Sequence, residues 1–240
     1  MSTLQSRFEA FMRTENGFED IDALLHDSDP DGKKRADYLI NNRTIIVEQK
    51  VLDSNPIDKP QKFFDRLMED GKVLAYGTVG SNVIFNAMPN GQSEKRKMLL
   101  KLTDVIANNV SHADKQARDT REIFDIPKAM SILVILNEKA EMLTCELVRY
   151  ALQQTFAKTD DQGAPRYRHL DGVIFLTEHE YIMDAGRKAF PINCYVLPHS
   201  PHQKSLKVFF DHFQPSWAAF NNAPLFHRPT LGPLNSVMGR

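Results

Sequence analysis

The run from Met130 to Leu136 constrains this chain more than any other segment. It is a continuous apolar stretch of strand length, suited to burial on both faces of a sheet rather than to a sheet with one face in water. Leu4 to Thr14 places Leu4, Phe8, Phe11 and Met12 at helical spacing, and Phe18 to His26 reads as a second, shorter helix. Ala36 to Ile40 and Thr44 to Leu52 read as the two strands of a hairpin turning at Asn41-Asn42-Arg43. A loop then leads from Pro56 into a short helix with Phe63, Phe64 and Leu67, and the glycine-containing stretch Gly71 to Gly91 is assigned to a strand pair. Gln92 to Phe124 is one long helix, or two broken near Ser111-His112. Leu143 to Ala157 and Leu206 to Phe220 are helical, and Gly172 to Leu176 and Asn193 to Leu197 are strands. This order predicts an α/β fold, a mixed central sheet flanked by helices on both faces. Residues 1–220 form one domain in this reading, and 221–240 an extended tail containing proline and glycine.

Composition narrows the classes. The chain has 240 residues, 42% of them hydrophobic and 25% charged, with a net charge of −1, which excludes a disordered or collagen-like chain. No apolar run approaches the ~20 residues of a membrane span. Met1 to Arg13 lacks the pattern of a signal peptide, and Cys145 and Cys194 form neither a disulfide framework nor a zinc ribbon. A cytoplasmic protein with no membrane partner is the expectation. The eight histidines make no zinc set, and neither a nucleophile elbow nor a Walker-type phosphate loop occurs.

The chemistry concentrates in the hairpin. Glu48 and Lys50 lie two apart on one strand and so share a face. With the turn centred on Asn42-Arg43, Asp37 stands opposite Glu48; with the turn at Asn41-Asn42 it lies diagonal to it. Opposed Cβ atoms are ~4.5–5.5 Å apart and diagonal ones ~7–8 Å, and either spacing lets two carboxylates converge on a hard cation such as Mg²⁺. Three charges in an otherwise apolar hairpin are costly to bury without compensation, which a divalent metal beside a lysine supplies. A solvated strand edge with a surface ion pair is the competing explanation. Asp31-Gly32-Lys33 and Asp70-Gly71-Lys72 repeat the acid-x-Lys spacing, but as Asp-Gly turns.

The segment Arg35 to Lys50, with Asp37, Glu48, Gln49 and Lys50 in this order of elements, resembles the core motif of the PD-(D/E)XK nuclease superfamily. The resemblance covers Leu4 to about Leu136 and implies a restriction-endonuclease-like core. Asp37 matches the first acid, Glu48 the second and Lys50 the lysine. The main-chain carbonyl of Gln49 would join Asp37 and Glu48 as a metal ligand, and Glu9 on the first helix is the candidate further acid. Ala36 stands where the motif has proline, and Gln49 is polar where an apolar residue is usual. The resemblance implies a Mg²⁺-dependent endonuclease, with Mn²⁺ as substitute, acting on DNA, with RNA or branched DNA as alternatives, and a homodimer as the family-level arrangement. A non-catalytic nucleic-acid-binding or protein-interaction module on the same fold is the alternative.

Lys115, Gln116 and Arg118, on the helix before Met130, are candidate nucleic-acid contacts. Lys115, Arg118 and Arg121 recur at helical spacing and could present one face to phosphates, although Asp114, Asp119 and Glu122 interleave with them. Lys33-Lys34-Arg35 and Lys95-Arg96-Lys97 are short basic clusters suited to steering an anionic partner or to solubility.

Overall fold

A computed structural model describes residues 2–25, 32–72 and 81–225. β4 (Met130–Asn137) is buried at all eight of its positions. Its neighbours β3 (Ile45–Leu52) and β5 (Gly172–Thr177) both run parallel to it. β2 (Tyr38–Ile40) adds antiparallel to β3, and β1 (Glu19–Asp20) adds to β2. On the other side β8 (Ile192–Val196) closes the sheet antiparallel to β5, giving the order β1-β2-β3-β4-β5-β8. The fold is therefore α/β with a mixed six-stranded sheet.

Strand alternation distributes this sheet between two helical layers. Leu133 and Ile135 pack with Val173, Phe175 and Tyr195 against α6 (Asp104–Ile123) and α7 (Cys145–Phe156). Ile132, Val134 and Leu136 pack with Ile174 and Leu176 against α1 (Leu4–Met12) and α8 (Gln203–Phe220). Each such aliphatic side chain removed from water contributes about 1.5–3 kcal/mol, so the apolar run Ile132 to Leu136 favours the same sandwich on both faces. On β3, Val47 belongs to the α1/α8 side and Leu52 to the α6/α7 side. Glu48 and Lys50 share the parity of Leu52 and pair in register with Leu133 and Ile135, which places them toward α6.

Several expectations needed correction. Phe18 to His26 is not one helix: Glu19 and Asp20 join the sheet edge, and among the described residues, which stop at Leu25, only α2 (Ile21–Leu24) is helical, started by the Asp20 carboxylate accepting from the N–H groups of Asp22 and Ala23. In the stretch assigned to a strand pair, residues 73–80 lie outside the described residues, and Ser81–Ala87 forms helix α4. Phe85 on it packs against Phe63 and Leu67 of α3 (Asp58–Glu69), a local cluster that overrides the strand propensity of Val83 and Ile84. The stretch 92–124 is two helices, α5 (Gly91–Leu102) and α6, but the break falls at Thr103, whose hydroxyl bonds back to the Leu99 carbonyl at 2.8 Å. The two helices lean on different cores, since Met98 of α5 joins the α3–α4 cluster while Leu102 at its end and Ile106, Val110, Ala113 and Ala117 of α6 cover the sheet. A small hairpin, β6 (Ile182–Asp184) and β7 (Arg187–Ala189), was not expected. Residues 226–240 of the tail lie outside the described residues. Among the described residues no helix is long and apolar enough to cross a membrane.

Arg121 does not share an exposed face with Lys115 and Arg118. Its guanidinium turns inward to the carbonyls of Ala129 (Nε, 3.0 Å) and His169 (Nη1, 2.8 Å) and to the buried Asp171 carboxylate (3.0 Å). Asp171 also accepts from Ser131 N (2.9 Å) and Ser200 Oγ (2.7 Å). One charge-assisted network thus ties the end of α6 to the starts of β4 and β5 and to the segment leading into α8. Arg121→Ala would strand Asp171 in the core, so urea denaturation should show a loss of about 3–5 kcal/mol with the far-UV spectrum of the folded state retained.

Candidate active site

The hairpin register is set at its tip. Asn41, Asn42 and Arg43 all adopt positive φ (51°, 53° and 62°), a conformation that asparagine tolerates better than most residues. Arg43 is held there by a bidentate pair with Glu19 (2.7 Å for the shorter contact) and lies over the Phe124 ring. Gly17, itself at positive φ, sits so close that a Cβ would stand 2.7 Å from the Asn42 nitrogen. Ile40 pairs with Ile45 and Tyr38 with Val47, the register of a turn centred on Asn42-Arg43. Asp37 N–H also reaches the Val47 carbonyl (3.2 Å), so two residues of one strand oppose one of the other, a β-bulge at the point where the first carboxylate leaves the sheet.

The bulge turns the Asp37 carboxylate along the edge of β3, where Oδ2 accepts from Gln49 N–H at 2.6 Å. A strand residue directs its N–H and C=O to the same side, so the Gln49 carbonyl faces this edge as well. Glu48 is 1% exposed, and the Lys50 ammonium, on a side chain 25% exposed, pairs with its Oε1. Neither Glu48 oxygen completes a hydrogen bond of good geometry with another described residue. Burial, then the Asp37 charge, push the Glu48 carboxyl up to about 8, against the pull of Lys50 and of the Gln116 amide. Burial also raises Asp37, moderated first by the Gln49 N–H and then by Lys50. Two carboxyls that both resist ionisation, with a lysine between protein and solvent, form a centre that favours added positive charge.

Helix α6 fixes the chain that leads into Asp37. Lys34 N–H donates to Asp119 Oδ2 (3.2 Å), the Gln116 amide donates to the Arg35 carbonyl (2.7 Å), and Ala36 N–H donates to Thr120 Oγ1 (2.8 Å). These three side chains, at i, i+3 and i+4, replace the strand partner that residues 34–36 lack. Gln116 is thereby committed to the Arg35 carbonyl, and its amide pulls against the rise of the Glu48 carboxyl. Thr120→Val would leave the Ala36 N–H buried without an acceptor, and thermal or urea unfolding should register a loss of about 1–3 kcal/mol.

Of the sequence candidates, the structure brings together Asp37, Glu48, Gln49 and Lys50, with Gln116 beside them. Glu9 is placed elsewhere. It lies on α1, across the sheet from Glu48, where Gln5 donates to it at 2.8 Å and its charge bears on Tyr38. Lys115 is exposed on α6, and Arg118 is half exposed and paired with Asp119 (2.8 Å). The basic cluster before Asp37 is largely engaged, Lys33 with Glu122 and Arg35 with Asp22. Thr120 and Asp119 went unread in the sequence, where nothing in their spacing distinguishes them from an ordinary helix. Asp22 and Asp20, whose charges raise Asp37, were likewise missed; Asp20-x-Asp22 looks only like a helix start.

Comparison with models of protein families, with curated proteins and with solved structures found no match. Among the described residues no three His, Cys, Asp or Glu side chains converge as a ready-made metal cage. The buried Glu48 and half-buried Asp37 carboxylates nonetheless fit a hard cation of the kind that uses one or two carboxylates and fills its remaining positions with water or substrate oxygens.

The raised carboxyl has a consequence for stability. Folding lifts Glu48 from 4.5 to about 8, so between those values the native state holds more protons than the unfolded chain and stability falls as pH rises. Urea unfolding should therefore show Glu48→Gln gaining on the parent between pH 5 and pH 8. Millimolar Mn²⁺ should stabilise the parent more at pH 8 than at pH 5 and leave Glu48→Gln unchanged.

Proposed function

We propose that this chain is a divalent-cation-dependent nuclease of the PD-(D/E)XK type, hydrolysing DNA phosphodiester bonds on a restriction-endonuclease-like core. The observation that carries the reading is the Glu48 carboxylate, fully buried, short of hydrogen bonds and set beside a second carboxylate and an ammonium group. An unassisted carboxylate in that position is costly to keep. It becomes favourable once a cation and an anionic substrate complete the charge balance.

Asp37, Glu48 and the Gln49 carbonyl would hold Mg²⁺, with Mn²⁺ as substitute. The cation, when bound, supplies neutralisation of phosphate charge and acidification of water. Lys50 shares the Glu48 face and reaches solvent, so it is the group placed to orient the attacking water and to stabilise charge that develops on phosphorus-bound oxygens. Gln116 restrains the approach to Asp37 through the Arg35 carbonyl. Lys115 and Arg118 lie on the outer surface of the same helix, where they would meet backbone phosphates away from the reacting group.

The test is cleavage of plasmid, single-stranded, branched and RNA substrates by the purified chain, with and without Mg²⁺ or Mn²⁺. Metal-dependent cleavage is expected, with Lys50→Ala lowering the single-turnover rate about 10²–10³-fold while calorimetry shows metal binding largely retained. Glu48→Ala should lose both. Wild-type cleavage by Lys50→Ala overturns the mechanism. Metal-independent binding of nucleic acid with no cleavage would instead identify a binding module on this fold.

A further inference from the structure

Asp119 is a buried charge on α6 whose cationic partner is exposed. The residue is 3% exposed and follows the half-exposed Arg118 in the chain. Its two oxygens serve different parts of the molecule. Oδ1 accepts from Nε (2.9 Å) and Nη2 (2.8 Å) of Arg118, while Oδ2 accepts from Lys34 N–H (3.2 Å). Adjacent residues of a helix do not face each other, so the Arg118 side chain has to fold back along the helix surface to make this pair. A guanidinium carries five N–H donors in a fixed fork, and two of them are given to Asp119.

Lys34 stands three residues before Asp37, and α6 pins the main chain between them at every step. Asp119 holds Lys34 N–H, Gln116 the Arg35 carbonyl and Thr120 the Ala36 N–H, after which Asp37 N–H enters the sheet at the Val47 carbonyl. Asp119 makes the outermost of these three pins and is the charged one among them, so its hydrogen bond is of the stronger, charge-assisted kind. The contrast with Arg121 and Asp171 is instructive. There both partners are buried, and the cation spends its donors on carbonyls of the core. At Arg118 and Asp119 the acid is buried and the cation is exposed. An anion that reaches Arg118 therefore meets the outer end of a run of contacts that finishes at the Asp37 carboxylate.

We propose that Asp119 is a positioning residue for the cation site, and that Arg118 couples that site to the nucleic-acid backbone. The inference rests on the nuclease reading above. A flanking phosphate that accepts from the guanidinium donors not given to Asp119 immobilises Arg118 against the Asp119 carboxylate. That firms the hold on Lys34 N–H and, through residues 34–36, on Asp37. Backbone contact on the outer surface of α6 and cation binding at Asp37 and Glu48 then favour each other, and by linkage each strengthens the other by the same factor. A phosphate contact of this kind fixes register on the substrate and carries no sequence information.

The experiment titrates Mn²⁺ into the full chain by calorimetry, alone and with a hydrolysis-resistant phosphorothioate DNA duplex present. Asp119→Ala should weaken Mn²⁺ binding about fivefold, the weight of one hydrogen bond, while the far-UV spectrum stays that of the parent. Asp119→Asn keeps an oxygen for Lys34 N–H and should bind Mn²⁺ as the parent does. Raised Mn²⁺ should return Asp119→Ala to the parental kcat, so that the loss falls on half-saturation by the metal. The duplex should tighten Mn²⁺ binding to the parent, and about fivefold less in Arg118→Ala and in Asp119→Asn, two variants that keep the test open if Asp119→Ala folds poorly. Parental Mn²⁺ affinity in folded Asp119→Ala overturns the inference, as does full tightening by the duplex in Arg118→Ala. A parent chain that binds no Mn²⁺ overturns the nuclease reading itself, and the inference falls with it.

Discussion

Everything in this fold follows from having to bury both faces of β4. A strand with all eight positions buried cannot lie at an edge or face water. It obliges the chain to supply a parallel neighbour on each side and a helical layer above and below. The crossover from β3 to β4 brings α6 down over one face, and the crossover from β4 to β5 brings α7 beside it. The remaining helices, α1 and α8, close the opposite face with an aromatic cluster in which Phe11 meets Phe213 and Trp217 edge-on.

That layering is also what makes the carboxylate pair unusual. Because β3 sits next to β4, its α6-facing side chains enter a region otherwise filled by Leu133, Ile135 and their neighbours. Glu48 is the residue of β3 that meets this environment with a fully buried charge, beside the partly exposed Lys50, and it does so one row in from the bulge that releases Asp37. The low local polarity strengthens each electrostatic contact among Asp37, Glu48 and Lys50 and raises the cost of leaving any of them unmatched. The same helix that covers Glu48 also holds the approach to Asp37 through Gln116, Asp119 and Thr120. The spacing of the pair therefore depends on helix-to-strand packing as much as on the hairpin.

The buried polar groups on this side of the sheet answer burial differently. Arg121 and Asp171, at the start of β4 and β5, satisfy each other and four further groups, and read as architecture. Glu48 and Tyr195 are left short. Buried polar groups are nearly always paired, so these two stand apart within an otherwise well-bonded core.

The strands β2, β3, β4, β5 and β8, the helices at both termini and the side-by-side placement of Glu48 and Lys50 were legible in the sequence, because a period of two or of 3.6 is a local property. So was the choice of Asp37 as their partner, although the hairpin letters left two registers open. Only the tertiary structure chose between them, through Gly17, Glu19 and Phe124 packing on a tip of three left-handed residues. It also moved Glu9 to the far side, since the face that α1 presents is decided by which side of β4 its phenylalanines cover. Thr120, the inward turn of Arg121 and the orphaned Tyr195 hydroxyl had no signature in spacing, because each is defined by a partner 8 to 84 residues away in the chain or by the lack of one. The sequence determined which residues could carry charge into the sheet; packing decided which of those charges were left unsatisfied.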